Sequence, residues 1–256
     1  MLFRSYNKIH IIMKTLTIIP SRLAATRLPG KPLLKINGLS IISHVFNRAM
    51  EANIGDVIVA TEDQEIIDDV VGNGGRAILT SKNHKTGTDR IYEALQKLKT
   101  KDLDLVMNLQ GDEPIIDIMD IVSLNKKMIC NTSKLGTLAA KISNIKDLEN
   151  ENLVKVVTKK KIDKDSFPEA KTFLRNLSKI ENVYHHIGIY CYSIETLEKF
   201  VKFNQSKNEI KNKLEQMRAL DNGIPINVAL AKSSPIGVDT EEDYLALKKN
   251  MEYKIK

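Results

Sequence analysis

From Lys14 onward the chain alternates short apolar runs with amphipathic stretches, and this alternation restricts the fold more than any other feature. Runs with strand character are Thr15–Ile19, Asp56–Ala60, Arg76–Leu79, Leu103–Leu109, Leu135–Ile142, Val154–Thr158, Val183–Tyr192 and Ile226–Ala231. Between several of them apolar residues recur at the spacing of one helix face. One set is Ile41, Ile42, Val45, Phe46, Ala49 and Met50; a second is Ile91, Leu95 and Leu98; a third is Leu214, Met217 and Leu220, with Gly223 as its stop. Asp239 or Thr240 is placed to cap a last helix through Leu245 and Leu247. Strands alternating with helices predict βαβ units and a mostly parallel sheet, an α/β fold. Such sheets bind ligands at the carboxyl ends of their strands. No internal repeat and no Pro/Gly/Ser linker breaks the pattern, so no boundary is drawn within it.

Composition excludes several classes. No apolar run reaches the roughly 18–20 residues of a membrane span, so no membrane partner is expected. Two cysteines, Cys130 and Cys191, cannot staple a secreted scaffold or form a zinc ribbon, and they point to a reducing, cytoplasmic compartment. The formal charge of +7 comes from 39 Lys plus Arg against 32 Asp plus Glu. Only eight of the 39 are Arg, the residue of bidentate phosphate and base recognition. The lysine-rich stretches Asn125–Lys127, Lys155–Lys164 and Lys199–Lys213 read as solvated faces. With no nucleic-acid-binding signature present, no nucleic-acid partner is expected. Residues Met1–Ile12 lack the apolar core of a secretory signal. We expect them to be an extension ahead of a start at Met13, with Met13–Lys256 forming one domain.

Five segments after strands carry chemistry. Pro20–Pro32 holds Arg22, Arg27 and Lys31 in a loop stiffened by Pro29 and Pro32, with Gly30 permitting close backbone approach; this suits an anion such as a triphosphate. It has neither Walker A nor dinucleotide-fingerprint spacing. Ala60-Thr61-Glu62 ends a strand and offers polar groups to a base or ribose, while Thr61 to Asp63 equally suits a helix cap. Thr86 to Thr88 can cap the next helix, but capping leaves Arg90 unexplained, because the first turn disfavours a cation. Gln110-Gly111-Asp112-Glu113-Pro114 follows an apolar strand, and Asp112 suits an Mg²⁺ ligand. Pro235–Asp243 is a second acidic cluster, bringing Asp239. Spacing alone does not show that Asp112 and Asp239 meet.

In this order the segments resemble the cytidylyltransferases that activate 3-deoxy-manno-octulosonate (Kdo). The matching stretches are Arg22 through Thr26-Arg27-Leu28-Pro29-Gly30-Lys31-Pro32, Thr86–Arg90 and Gln110–Pro114. They continue with Leu153–Val157, His186–Tyr190, Leu214–Arg218 and Gly237–Thr240, so the likeness runs from about Lys14 to Leu247. The resemblance implies a single-domain nucleotidyltransferase (Rossmann-like) fold with a mostly parallel mixed sheet flanked by helices, and a homodimer. It implies that Arg22, Thr26, Arg27 and Lys31 hold CTP phosphates. Ala60, Thr61, Glu62, Gly87, Thr88 and Arg90 line the nucleotide pocket in the same reading. Asp112 and Asp239 match Mg²⁺ ligands, and Gln110, Arg175, His186, Tyr190, Glu215 and Gln216 match positions that contact the sugar acid.

The implied reaction joins CTP and Kdo to give CMP-Kdo and pyrophosphate, a step of lipopolysaccharide biosynthesis. Arg22, Lys31, Asp112 and Asp239 are its expected catalytic residues. His186 reads either as a base or as a group that orients a ligand. The chain departs from the family at Ala25, where Ser is common, and at Glu62, where Asp is usual. A further departure surrounds Arg175: an Ile-Pro-Trp stretch is missing, and the chain has no Trp. Two other readings remain: CMP transfer to another acid sugar, such as 8-amino-Kdo or a nonulosonate, and an inactive nucleotide-binding protein.

Overall fold

The structure is a computed structural model and describes residues 13–24, 27–100, 102–142, 144–177, 181–232, 234 and 237–253. The expected extension Met1–Ile12 and the phosphate candidate Thr26 lie outside these residues.

In chain order the strands are β1 (Thr15–Ser21), β2 (Lys35–Ile36), β3 (Leu39–Ser40), β4 (Gly55–Thr61), β5 (Ala77–Leu79), β6 (Leu105–Asn108) and β7 (Leu135–Ala140). They continue with β8 (Lys155–Thr158), β9 (Ala170–Leu174), β10 (Val183–Ser193) and β11 (Asn227–Leu230). The helices are α1 (Ile41–Glu51), α2 (Gln64–Gly72), α3 (Gly87–Leu98), α4 (Ile118–Asn131), α5 (Ile194–Phe200), α6 (Lys207–Asn212), α7 (Met217–Asp221) and α8 (Glu241–Tyr253).

Nine strands form one sheet with the path β11-β7-β10-β6-β1-β4-β5, and β8 pairs with β10 and β9. The pairs β6/β1, β1/β4, β4/β5 and β7/β11 are parallel. Strand β10 runs antiparallel between β6 and β7, which makes the sheet mixed. Because side chains alternate across a strand, β1 sends Leu16 and Ile18 to one core and Ile19 to the other. Helices α1, α2 and α4 cover the Ile19 face through Val45, Ile66 and Leu124. Helices α3 and α5 cover the opposite face through Ile91 and Leu197. Both faces are therefore buried, which is why these strands are apolar throughout.

All eight expected strands are present, with ends shifted by one or two residues. Strand β9 was not anticipated, because its Ala-Lys-Thr-Phe-Leu run buries only Ala170 and Phe173. Helix α4 was not anticipated either; Asp117 caps it by accepting from Met119 N at 2.8 Å. The helical face through Leu214 is shorter than its spacing suggests. Lys213, at φ 53°, ends α6, and a new short helix begins at Met217. Gly223 does stop that helix, at φ 73°. Thr240 rather than Asp239 caps α8, exchanging hydrogen bonds with Asp243 of 2.9 and 3.2 Å.

One surface reading is corrected. Lys155 is 0 % exposed. Its ammonium donates to Asn150 O at 2.5 Å and Arg175 O at 2.7 Å. Burial pushes its pKa below the ordinary lysine value.

Candidate active site

Strands β1 and β6 run side by side and in the same direction, so their carboxyl ends open on one side of the sheet. There lies a cleft of about 380 Å³ lined by Arg22, Arg27, Lys31, Gly87, Arg90, Gln110, Asp112 and Asp239, among others. The loop after β1 turns at Gly30, φ 71°, into a 3₁₀ turn from Lys31 to Leu33. Gly30 adopts the left-handed backbone this turn needs, and a Cβ there would meet nothing within 4 Å. The turn aims Lys31 inward. Its Nζ donates to Asp112 Oδ2 at 2.6 Å, Val238 O at 2.8 Å and Asp239 Oδ1 at 3.2 Å. Arg27 reaches Asp239 Oδ2 at 2.9 Å. Two carboxylates more than 120 residues apart in sequence thus meet on one ammonium. Arg22 is exposed in the cleft and forms no ion pair with any described residue.

The neighbouring Glu113 was not singled out by sequence. Its Oε2 is buried without a hydrogen-bond partner. Burial, then the charges of Asp112 and Asp239, push its carboxyl up to about 8. Among the described residues no group of three or more His, Cys, Asp or Glu gathers around a metal. As a donor set, the two carboxylates that meet on Lys31 Nζ fit a cation that takes two carboxylates and completes its shell with phosphate oxygens and water, as Mg²⁺ does.

The N-terminus of α3, at Thr86 and Gly87, also lines the cleft. Thr86 caps it, accepting from Asp89 N at 3.2 Å, and the 12-residue helix presents its positive end to the cleft. Arg90, 3 % exposed, pairs with Glu62 and donates to Thr80 Oγ1 at 2.6 Å. A carboxylate from the end of β4 therefore compensates the cation in that unfavourable turn. Ala60, Thr61 and Glu62 are not on the cleft wall. Ala60 and Thr61 are buried in β4, and Thr61 Oγ1 accepts from Asp63 N at 3.2 Å. Asp63 in turn accepts from Leu23 N at 2.7 Å, tying the β1 loop to β4. His84 and Lys85 also line the cleft, and sequence reasoning left them out. His84 is paired with Glu93. Burial raises the Glu93 pKa, but hydrogen bonds from Lys97, Ser81 N and His84 outweigh it and hold the carboxyl near 2.

Of the sugar-acid candidates, only Gln110 reaches the cleft. Its Nε2 donates to Gly188 O at 2.7 Å, linking the cleft to β10. His186 and Tyr190 stack along β10 with ring centroids 5.5 Å apart, and Phe173 meets the His186 ring edge-on at 4.9 Å. Burial, then the nearby His185, lowers the His186 pKa to about 3, so its ring is neutral. Thr88 also lies off the cleft wall; it donates to Glu215 Oε2 at 3.0 Å. Glu215 Oε1 is buried without a hydrogen bond, 3.7 Å from the Arg218 guanidinium, and burial raises that carboxyl. Gln216 is buried beside it at the start of α7. Arg175 lies at the end of β9, away from the cleft. Its guanidinium donates to Glu151 O at 2.9 Å and Asn212 O at 3.3 Å. It would have to leave both carbonyls to meet a carboxylate.

A mixed α/β sheet with cations, a helix N-terminus and paired carboxylates at its strand ends defines a nucleotidyltransferase. The sequence matches the cytidylyltransferase family over residues 16–229. It is 43 % identical over 232 residues to a 3-deoxy-manno-octulosonate cytidylyltransferase of Rhodopseudomonas palustris (strain BisB5), covering 90 % of this chain and 94 % of that one. It is 41 % identical over 243 residues to the protein of the same name from Thermodesulfovibrio yellowstonii, covering 90 % and 95 %. A solved CMP:2-keto-3-deoxy-manno-octonic acid synthetase complexed with CTP aligns with a TM-score of 0.86 at 33 % identity, over 94 % of this chain and 99 % of that one. This chain belongs to the 3-deoxy-manno-octulosonate cytidylyltransferase family.

Proposed function

We infer that the chain joins CTP to Kdo, giving CMP-Kdo and pyrophosphate, as its family does. The observation that carries this reading is Lys31 Nζ holding Asp112 and Asp239 together at the mouth of a cation-lined cleft. The anomeric hydroxyl of the sugar acid gives its proton to water, and its oxygen forms a bond to the α-phosphorus of CTP. The bond from that phosphorus to the bridging oxygen breaks, and pyrophosphate leaves. Arg22, Arg27 and Lys31 bind the triphosphate and stabilise the charge that develops on the leaving group. The α3 N-terminus adds its dipole and free N–H groups. Thr26 joins these phosphate ligands in the same reading. Arg90 and Glu62 brace the nucleotide pocket behind Gly87, and Thr88 adds support through its hydrogen bond to Glu215. Asp112 and Asp239 would hold Mg²⁺, which when bound supplies positive charge to the phosphate oxygens and acidifies a bound hydroxyl.

In this reading Gln110, His186, Tyr190, Glu215 and Gln216 form the sugar-acid side, and Arg175 joins them only by leaving the carbonyls of Glu151 and Asn212. A neutral ring with a pKa near 3 is too weakly basic for general base work near pH 7. His186 is therefore assigned to orienting the sugar.

Pyrophosphate release with a panel of nucleotides and acid sugars tests the reading. We expect release with CTP and Kdo, dependent on Mg²⁺ and abolished by a chelator. Preference for a nonulosonate or 8-amino-Kdo would replace the sugar assignment, and no release with any pair would leave a nucleotide-binding protein. We place the chain in a reducing, cytoplasmic setting, supported by two free cysteines and by the absence, among the described residues, of any helix long and apolar enough to cross a membrane. Sedimentation velocity tests the homodimer: a species of twice 28.9 kDa supports it.

A further inference from the structure

Strand β7 is buried along its whole length, yet it carries one hydroxyl, Thr137, at 0 % exposure. The Thr137 Oγ1 lies 2.7 Å from Ile189 O, 3.1 Å from Ile187 O and 3.1 Å from His186 Nε2. A hydroxyl has one proton, and a carbonyl oxygen can only accept. Ile189 O is the nearest of the three partners at 2.7 Å, and the hydroxyl donates there. His186 Nε2 must then donate to Thr137 Oγ1. This places the proton of the neutral ring on Nε2 and leaves Nδ1 as a lone-pair acceptor, which no described residue engages. The same hydroxyl bridges a bulge. The β10/β7 register runs His186↔Ala139, Ile187↔Leu138 and resumes at Tyr190↔Thr137, so Gly188 and Ile189 bulge out. The bulge turns Gly188 O toward Gln110, which it anchors at 2.7 Å.

We propose that Thr137 is a positioning residue for the sugar acid: its hydroxyl sets the proton of His186 and the bulge that aims Gln110, so that both present one fixed pattern of donors and acceptors. This rests on the reading that Gln110 and His186 contact the sugar acid. A buried hydroxyl that merely fills space would serve as well donating to His186 Nε2, with the ring in the other tautomer, as to a carbonyl.

Two measurements decide. In the ¹⁵N-histidine spectrum of the intact protein, His186 should show the Nε2–H tautomer; the Nδ1–H tautomer would overturn the proposal without any substitution. In kinetics, Thr137→Val keeps the shape and removes the hydroxyl. It should raise KM for the sugar acid about 10- to 100-fold, with KM for CTP changed less than about twofold, and Thr137→Ser should restore most of the loss. Equal effects on both substrates, or a serine variant no better than valine, would overturn it. Gln110→Ala and His186→Asn run alongside. If those two leave KM for the sugar acid unchanged, the site reading fails, whereas if they raise it and Thr137→Val does not, the role of Thr137 alone fails.

Discussion

Where β1 and β6 end, the molecule is open and ionic: Arg27, Lys31, Asp112 and Asp239 share one cluster at the cleft surface. Along β10 it is closed and neutral: His186, Tyr190 and Tyr192 stack in a row, and Thr137 and Gln110 hold backbone carbonyls. In the proposed reading the first half would meet a polyanion with charges that already balance one another, so exchanging partners costs little. The second would meet a sugar with fixed donors and acceptors that cannot rearrange without leaving buried groups unpaired. The nucleotide side is therefore tolerant in structure and demanding in charge, and the sugar side is the reverse.

The hardest blow to that division is Asp112→Asn. It keeps the shape and removes a charge, so the fold should survive while turnover falls by about 100- to 1000-fold or more. Melting temperature and pyrophosphate release measured together check both halves of the statement, and near-normal CMP-Kdo formation would remove Asp112 from the catalytic set.

Next in size is a change beneath the sugar side. Arg218 donates to Glu209 at 2.5 and 2.8 Å, and both side chains are about 95 % buried. Burial raises the Glu209 pKa, but the Arg218 hydrogen bonds outweigh it and hold the carboxyl below its usual range. Arg218→Met leaves that carboxylate uncompensated and should cost about 3–5 kcal/mol of stability. Denaturant unfolding reads it; a loss as small as that of a surface pair would show that this half is not rigidly built.

The acid response should also separate the halves. His186 takes a proton near pH 6.5 when unfolded and near 3 when folded. Between these values the unfolded state holds more protons, so this residue's contribution to stability falls as pH falls. On the nucleotide side Glu93, held near 2, loses its contribution only below about pH 4.5. Asp120, raised to about 6, and Glu113, raised to about 8, act with the opposite sign. The measurement is therefore the difference between the wild type and His186→Gln. It should shrink by up to about 1.4 kcal/mol per pH unit from pH 6.5 downward. A flat difference would mean that the ring is already charged in the folded protein.

What the sequence disclosed follows the same line. Every strand that is apolar and every loop rich in unusual charge was readable, because periodicity and composition are local. Arg90 stood out as misplaced, but its reason, Glu62, lies 28 residues away across a parallel pair of strands. Lys155 sits in a lysine-rich stretch and looked solvated; only its inward register on β8 and the carbonyls of Asn150 and Arg175 explain it. Thr137 had no local signal beyond one hydroxyl in an apolar run, since its function depends on a bulge in another strand. The meeting of Asp112 with Asp239 came only from resemblance until Lys31 was seen to hold both.

The gentlest prediction concerns Arg27. Its guanidinium is about two-thirds exposed and its pair with Asp239 is a surface one, so Arg27→Ala should cost less than about 1 kcal/mol of stability. Yet in the proposed reading it is one of the three cations offered to the triphosphate, so KM for CTP should rise several-fold and KM for Kdo should stay near its wild-type value. The rise should shrink with added salt, because an exposed cation acts through a screened field. A salt-independent rise would mean a direct, desolvated contact. That would place part of the nucleotide side in the rigid class that β10 otherwise represents.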